Sequence, residues 1–259
     1  MSFLADTHVH VYPCHEPLDL LKDAVTRLQS AANNPQAPCL LCLTETSRDD
    51  WFKSLQTGNH RLPEDTQLIS TAESISMRIQ TETLDCTVIA GRQVVTQERL
   101  ELLALGTTES FTDGLPAQEA FDAIHSSGAL PVLAWAPGKW LGKRADIVNQ
   151  LMETCKDDLW CGDSSLRCKG WPTPSPFHAN QRPLLAGSDP LPYPGEETQA
   201  GGYGLELKAA FNPETPFASF KDAVSGPAEV VTRIGSRNSP LGMFYRLFAH
   251  HRNKASRSS

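Results

Sequence analysis

Two histidines lie one residue apart near the start of the chain, within the stretch DTHVHVYP of residues 6–13. Imidazole nitrogens are common protein ligands of transition metals, so His8 and His10 are candidate metal ligands. An H-x-H pair by itself is a weak signal, because two histidines on a half-exposed strand need no ligand role. The metal hypothesis therefore depends on whether other segments supply further ligands.

Four apolar runs of the sequence end on a carboxylate. These acids are Glu45 after LLCLT, Glu73 after LISTA, Asp163 after LWCG and Asp189 after LLAGS. Barrel enzymes carry their catalytic groups at the carboxyl ends of the strands. An acid at such a position can instead cap the following helix, which suits Asp163 because two serines follow it. Prolines at positions 190, 192 and 194 disfavour a helix directly after Asp189.

Strand geometry predicts how the two histidines are presented. Side chains alternate between the two faces of a strand. One face of the first strand is therefore expected to carry Asp6, His8, His10 and Tyr12. The opposite face is mostly apolar and can pack against helices. Inside a barrel, the polar face would point into the lumen, where both imidazoles could share one metal near the C-terminal mouth.

Strands alternate with helices along most of the chain. The predicted helices are PLDLLKDAVTRLQSAA, LPAQEAFDAIHSSG and ADIVNQLMETC, and the predicted strands include FLADTHVHVY, APCLLCLTE, TQLISTAE, ALPVLAWAPG, LWCGDSS and PLLAGSD. Residues 74–96 alternate more like antiparallel strands, and LELLALGT fits a strand or a helix end equally well. Repeated βα units favour a parallel sheet or a closed barrel. The Pro- and Gly-rich segment 189–204 is predicted to be a long loop of the kind that often carries function.

Length and composition fit one globular domain. The chain has 259 residues, 40% hydrophobic and 20% charged, which suits a single α/β barrel. The formal net charge of −7 gives no reason to expect nucleic acid as a partner. No apolar run is long enough to span a membrane, no secretory signal pattern opens the chain, and the seven cysteines are irregularly spaced. These features predict a cytoplasmic protein.

The C-terminal end differs in charge from the rest. No acidic residue follows Glu229, whereas six basic residues do, including Arg246 and Arg257. The stretch PLGMFYRLFAHHR predicts an amphipathic helix. We expect residues 236–259 to form a terminal helix with a basic tail docked on a domain of residues 1–235. Contact of this segment with a partner or an anionic membrane is the less favoured alternative.

Several of these motifs, taken in order over residues 3–191, resemble the PHP (polymerase and histidinol phosphatase) family of metal-dependent hydrolases. The motifs are DTHVHVY, LTET, TAESIS, AIHSSGALPVLAWAPG and AGSDPL. The resemblance implies a distorted (β/α)7 barrel, metals at its C-terminal mouth and hydrolysis of phosphoesters. It matches His8 and His10 to the family's H-x-H, Glu73 to the acid of G-x-E-x-S and Asp189 to the acid of G-S-D-x-H. Together these four residues correspond to one metal site of the family.

The sequence departs from the family at three metal-binding histidines. The family's T-D-H reads Thr44-Glu45-Thr46 here, its A-H-P reads Ala134-Trp135-Ala136, and its final histidine falls on Leu191. A two-metal displacement needs a second cation close to the first. The sequence therefore predicts one divalent metal per chain, or two if Glu45 contributes. Two imidazoles with carboxylates suit Zn²⁺, Mn²⁺ or Fe²⁺.

Basic residues cluster after the strand LPVLAWA, in the stretch APGKWLGKR of residues 136–144. Lys139, Lys143 and Arg144 are expected at the same mouth, with Arg167 on its rim. Glycines and a following helix N-terminus would allow an anion to approach closely. A small anionic substrate is the expectation, and a solvated basic loop is the alternative.

The sequence thus favours a metal-dependent hydrolase of reduced metal nuclearity that acts on an anionic, phosphoester-like substrate. Asp189 would bind the metal and activate water, with Glu45 as a second catalytic carboxylate. The main alternative is a catalytically inactive PHP-like barrel that serves as a binding or scaffold protein. A third hypothesis is an open, doubly wound sheet without a metal. The sequence leaves the oligomeric state open.

Overall fold

The computed structural model describes residues 2–60, 62–179 and 182–256. The end of the predicted basic tail, including Arg257, lies outside these residues. The strands of the described part are β1 (Phe3–Val9), β2 (Cys39–Leu43), β3 (Gln67–Ser70), β4 (Ser76–Gln80), β5 (Asp85–Ile89), β6 (Gly91–Val95), β7 (Glu101–Leu105), β8 (Leu130–Ala134), β9 (Trp160–Ser164), β10 (Leu185–Gly187), β11 (Tyr203–Leu207) and β12 (Val231–Gly235). Its helices are α1 (Pro17–Ala32), α2 (Trp51–Gln56), α3 (Ala117–Ser126), α4 (Lys143–Thr154), α5 (Ser175–Ala179), α6 (Pro216–Ser225) and α7 (Pro240–Ser256).

The strands form two sheets. One has seven strands in the order β12-β11-β1-β2-β5-β4-β3, and the other has five in the order β10-β9-β8-β7-β6. Parallel pairs such as β1–β2 and β8–β9 alternate with antiparallel pairs such as β1–β11 and β7–β8. The fold is therefore mixed α/β.

The expected closed (β/α)7 barrel is not what the described strands form. β1 pairs with β2 on one side and, through Phe3–Ala5, with β11 on the other, and among the described residues no ladder joins β10 to β1. The sheets meet instead through isolated contacts, among them the Thr7 hydroxyl donating to the carbonyl of Ala186 and a single bridge between Glu45 and Arg92. A single doubly wound sheet does not describe these two sheets either.

Helix α1 shows why the first βα unit forms as predicted. Its buried residues are Leu20, Leu21, Ala24, Val25 and Leu28, which is the spacing of one apolar helix face. Pro17 occupies the first turn, where a missing N–H costs little. This face packs on β1 and β2, in a cluster that includes Leu4 and Leu41. Each fully buried leucine contributes about 1.5–3 kcal/mol.

A register shift in β1 changes how the histidine strand presents its side chains. The pairing with β2 is irregular between Asp6 and Val9. As a result Leu4 and Val9 pack in the same apolar cluster, although a regular strand would place them on opposite faces. The prediction that Asp6 shares a face with His8 and His10 is therefore wrong. The Asp6 carboxylate is turned towards Ser188 and Gly201, away from the imidazoles.

The C-terminal helix α7 begins at Pro240 and lies against the loop that follows β10. Its Arg246 side chain is almost fully buried there. Within the part of the chain that the structure describes, no helix combines the length and apolar character needed to cross a membrane.

Candidate metal centre

Three side chains predicted as metal ligands meet at one point. His8 is near the end of β1, His10 follows that strand, and Asp189 lies two residues beyond β10. The Nε2 atoms of the two histidines are 3.1 Å apart. Oδ1 of Asp189 lies 3.6 Å from Nε2 of His8 and 3.7 Å from Nε2 of His10. All three residues are buried.

The spacing of these three donor atoms fits a metal ion. A point equidistant from atoms separated by 3.1, 3.6 and 3.7 Å lies about 2.0 Å from each, which is the length of a Zn–N or Zn–O bond. Two ring nitrogens that face each other at 3.1 Å need either a shared proton or a shared cation between them. The group His8, His10 and Asp189 is therefore able to hold a divalent ion.

The protonation states of the cluster suit metal binding. Burial and the neighbouring His8 lower the pKa of His10 to about 3, so its ring is neutral at pH 7 with a lone pair available. Burial alone would raise the pKa of Asp189. The proximity of His8, His10 and Arg246 outweighs burial and lowers that pKa, which keeps the carboxylate ionised.

Asp189 is fixed from several sides. Its φ of 53° lies in the left-handed region, which costs a non-glycine residue about 1–2 kcal/mol. Its backbone N–H donates to the carbonyl of His8 at 2.9 Å, and the Ser164 hydroxyl donates to Oδ2 at 3.0 Å. A guanidinium N–H of Arg246 donates to its backbone carbonyl at 2.8 Å. These contacts leave Oδ1 directed at the imidazoles.

The turn between β10 and Asp189 is packed directly against His8. A Cβ added to Gly187 would lie 2.3 Å from the Cβ of His8, so only glycine allows this approach. The buried Asp6 carboxylate accepts hydrogen bonds from the backbone N–H groups of Ser188 and Gly201. Burial raises the pKa of Asp6 to about 6, although these hydrogen bonds oppose the shift. Asp6 thus ties β1 to the loop that carries Asp189.

Three further polar or aromatic groups surround the two imidazoles. Oε1 of Gln93 lies 3.3 Å from Nε2 of His8, and Oγ1 of Thr44 lies 3.5 Å from Nε2 of His10. The Tyr12 ring stacks on His10 with centroids 5.0 Å apart. The amide of Gln93 therefore borders the His8 side of the cluster.

Two adjoining cavities lie beside residues that border the cluster, although His8, His10 and Asp189 line neither. A cavity of about 720 Å³ is lined by Tyr12 and His15, and one of about 330 Å³ is lined by Gln93 and Glu45. Arg48 lines both cavities, and its side chain is exposed. Among the described residues it makes no ion pair, so its guanidinium is available to an anion.

Glu73, predicted as a fourth ligand, is engaged elsewhere. Its two carboxylate oxygens accept hydrogen bonds from the backbone N–H groups of Phe217 and Ala218, both at 2.8 Å. The Ser76 hydroxyl donates to the same carboxylate. Glu73 therefore caps the N-terminus of α6 and lies outside the His8–His10–Asp189 cluster.

Glu45, predicted as a catalytic carboxylate, is also held away from the imidazoles. Its Oε1 accepts from the backbone N–H of Phe52 at 2.9 Å, and its Oε2 lies 3.4 Å from a guanidinium nitrogen of Arg92. Burial raises the pKa of Glu45, and the N–H of Phe52 and Arg92 counteract this only in part.

The residues predicted to bind an anionic substrate are spread out. Lys139 pairs with Glu101, whereas Lys143 and Arg144 lie in the first turn of α4. Arg167 is buried and forms two hydrogen bonds of 2.6 Å with Asp163. None of the four lines the two cavities beside the cluster.

Arg246, Gln93 and Arg48 were not singled out from the sequence. Arg246 contacts Asp189 across 57 positions of sequence, and it looked like one of several bases in a terminal tail. Gln93 lies in a strand that was predicted only from the alternation of apolar and polar residues. Arg48 follows Glu45 closely. Its position just after the end of a predicted strand is the sequence feature that could have identified it as a site residue.

No protein-family model and no curated protein sequence matches this chain. Among solved structures, PsfC from Pseudomonas syringae PB-5123 superimposes with a TM-score of 0.59 at 15% identity, over 96% of this chain and 98% of that one. The lesion-specific endonuclease PfuEndoQ from Pyrococcus furiosus gives 0.49 at 14% identity, over 90% of this chain and 58% of that one. Endonuclease Q bound to a 27-mer duplex with an abasic lesion gives 0.48 at 11% identity, over 87% and 57%.

These likenesses correct one expectation. Net charge led to the expectation of no nucleic-acid partner, yet two of the matched structures are endonucleases, one with duplex substrate at its active site. That expectation was wrong because net charge is an average over the surface. All acidic residues of this chain precede residue 230, and the segment after them is purely basic. At 15% identity, the likeness to PsfC establishes a shared fold.

Proposed function

We propose that this chain is a PHP-like, metal-dependent hydrolase that holds one divalent ion at His8, His10 and Asp189. The observation that carries the proposal is the convergence of two imidazole nitrogens and one carboxylate oxygen within 3.7 Å of one another. Two imidazoles with one carboxylate suit Zn²⁺, Mn²⁺ or Fe²⁺. The fold shared with PsfC supports the PHP-like assignment.

A metal ion bound there would polarise a substrate oxygen and lower the pKa of a coordinated water. The chain's own residues prepare the site for this chemistry. His8 and His10 present Nε2, and Oδ1 of Asp189 completes a three-ligand face. The Ser164 hydroxyl occupies Oδ2 of Asp189 and so orients that carboxylate. Three protein ligands leave coordination positions open, which is the pattern of catalytic sites.

The proposed substrate is a phosphoester that would approach the cluster from the two adjoining cavities, past Tyr12 and Gln93. Arg48 lines both and would bind the phosphate, because a guanidinium matches the geometry of phosphate oxygens. The larger cavity, with the ring of Tyr12 in its wall, would take the organic part of the ester.

Metal content and turnover test this proposal together. Purified parent protein should contain about one equivalent of Zn, Mn or Fe by elemental analysis, and His8→Ala and Asp189→Ala should each lose most of it. His125→Ala, which removes an exposed histidine on α3, is the matched control and should keep the metal. Hydrolysis of bis(p-nitrophenyl) phosphate should disappear on chelation and return on reloading. Arg48→Ala should raise KM without changing metal content. A parent protein that binds no metal at all contradicts the proposal.

A binding or scaffold role is the second candidate. It is favoured by the replacement of three family histidines, and Trp135 at one of these positions is buried against Trp171. Stoichiometric metal without turnover of phosphomonoesters or phosphodiesters would support this role over hydrolysis.

A further inference from the structure

Helix α7 has two unlike faces. One face docks on the body of the protein, where Arg246 is 3% exposed. The opposite face carries Leu241, Phe244, Tyr245 and Phe248, which are 83%, 67%, 70% and 53% exposed. Positions 241, 244, 245 and 248 follow the spacing of one helix stripe, about 10 Å long. We call these four side chains the outer stripe of α7.

The outer stripe holds four of the seven large hydrophobic side chains that are exposed in the described residues. It continues onto Tyr193 and Pro194, which line a cavity of about 410 Å³ together with Tyr245, Phe248 and Arg252. Scattered exposed apolar residues are ordinary on a soluble protein. A continuous patch of this kind marks an interaction surface.

The charged residues of α7 itself are all of one sign. All 30 acidic residues of the chain precede residue 230, whereas six of its 23 lysines and arginines follow it. On α7 itself Arg252 and Lys254 are exposed beyond the end of the stripe. An exposed apolar stripe next to basic residues, with no acid on the helix, is complementary to an apolar surface bordered by negative charge.

We propose that the outer stripe of α7 docks on the surface of an anionic lipid bilayer. Leu241, Phe244 and Phe248 enter the boundary between headgroups and acyl chains, while Arg252 and Lys254 contact the lipid phosphates. The helix lies in the plane of the surface, held to the protein by its Arg246 face.

Two other occupants fit the surface less well. A second copy of the chain joined stripe to stripe would bring two uniformly basic helices together, which is electrostatically unfavourable. A nucleic acid would satisfy the basic residues. It would leave Leu241 and Phe248 without apolar partners, because phosphate contacts come chiefly from charged and polar groups.

Vesicle binding by the full-length protein tests the proposal. We expect the parent to sediment with phosphatidylcholine vesicles that contain 30% phosphatidylglycerol and not with pure phosphatidylcholine vesicles, with binding reduced by 0.5 M NaCl. Phe244→Ser with Phe248→Ser should weaken binding at least tenfold, and Arg252→Glu with Lys254→Glu should do the same. Leu141→Ser removes a similarly exposed apolar side chain elsewhere and should bind as the parent does.

Circular dichroism melts show whether the variants remain folded, and the assay needs no bound metal, so it is independent of the proposed hydrolase activity. Failure of the folded parent to bind anionic vesicles overturns the proposal. A parent dimer that becomes monomeric on loss of both phenylalanines, without vesicle binding, assigns the stripe to a second copy. Duplex DNA binding lost in the same variant, again without vesicle binding, assigns it to nucleic acid.

Discussion

Arg246 donates a hydrogen bond from Nη2 to the backbone carbonyl of Asp189 at 2.8 Å, so the C-terminal helix reaches the loop that carries a candidate metal ligand. The same guanidinium pairs with the Glu196 carboxylate at 2.6 Å and donates to the Ser165 hydroxyl at 2.9 Å. Arg246 and Glu196 are both buried. The left-handed backbone of Asp189 is thus stabilised by a residue 57 positions later in the chain.

Replacing Arg246 by Met is expected to weaken metal binding. The carbonyl of Asp189 loses its donor, and supporting contacts of this kind are typically worth 10- to 100-fold in metal affinity, at about 1.4 kcal/mol per tenfold. Competition titration with a chromophoric chelator measures the affinity. Arg246→Lys, which keeps the positive charge and one donor nitrogen, should recover part of the metal affinity.

Two controls separate this positioning effect from unfolding. Arg252→Met changes an exposed arginine of the same helix and should leave the metal affinity unchanged. Arg246→Met alone leaves the Glu196 carboxylate buried without its partner. Combining it with Glu196→Gln removes that buried charge. If the folded double variant binds metal as tightly as the parent, Arg246 does not position Asp189.

The sequence located the central residues of the candidate site because their signals are local. The H-x-H pair is recognisable because it lies at the end of an apolar strand pattern. Asp189 is recognisable because the prolines that follow it disfavour a helix that it could cap. Helix α1 was predicted with its observed limits, because its apolar spacing and its N-terminal proline are also local.

Other features depend on contacts between distant segments. The register shift between Asp6 and Val9 arises from pairing with β2, which strand periodicity does not encode. Glu73 caps a helix more than 140 positions away, so its local pattern could not distinguish a cap from a ligand. The split into two sheets reflects the pairing of β1 with β11, a strand that the sequence did not predict and whose first two residues fall in the predicted loop 189–204.

Glu73→Gln is expected to lower stability without changing metal content. The amide can accept one of the two backbone hydrogen bonds at the start of α6 and no longer places negative charge at the helix N-terminus, a loss of about 0.5–2 kcal/mol. Urea denaturation measures the change, and elemental analysis measures the metal. Glu214→Gln alters an exposed acid just before the same helix and serves as control. A loss of metal in Glu73→Gln alone would identify Glu73 as a ligand after all.

Arg167→Met is expected to destabilise the fold by about 3–5 kcal/mol, because it leaves the buried Asp163 carboxylate with only the more distant Arg233, 3.9 Å away, as a cation. Asp163 also accepts a hydrogen bond from the Tyr203 hydroxyl at 2.8 Å, which an asparagine oxygen could still accept. Adding Asp163→Asn to Arg167→Met should therefore restore part of the stability in urea titrations. A variant of parental stability with a raised KM for a phosphoester would instead place Arg167 in contact with substrate.

Glu45 makes stability depend on pH. Burial raises its pKa above 4.5 in the folded protein, so the folded state keeps the proton longer than the unfolded state does. Between these two pKa values the folded state binds more protons, and the free energy of unfolding therefore falls as the pH rises. Below about pH 4.5 the contribution of Glu45 is fully present, and it is lost as the pH passes the raised pKa.

Glu45→Gln removes this titration. The difference in unfolding free energy between the parent and Glu45→Gln should therefore shift against the parent as the pH rises above about 4.5, and level off once the pH is above the raised pKa. Urea denaturation at half-unit pH steps measures this difference. A difference that shifts in favour of the parent with rising pH would mean that Arg92 and the Phe52 N–H stabilise the ionised Glu45 more than burial destabilises it.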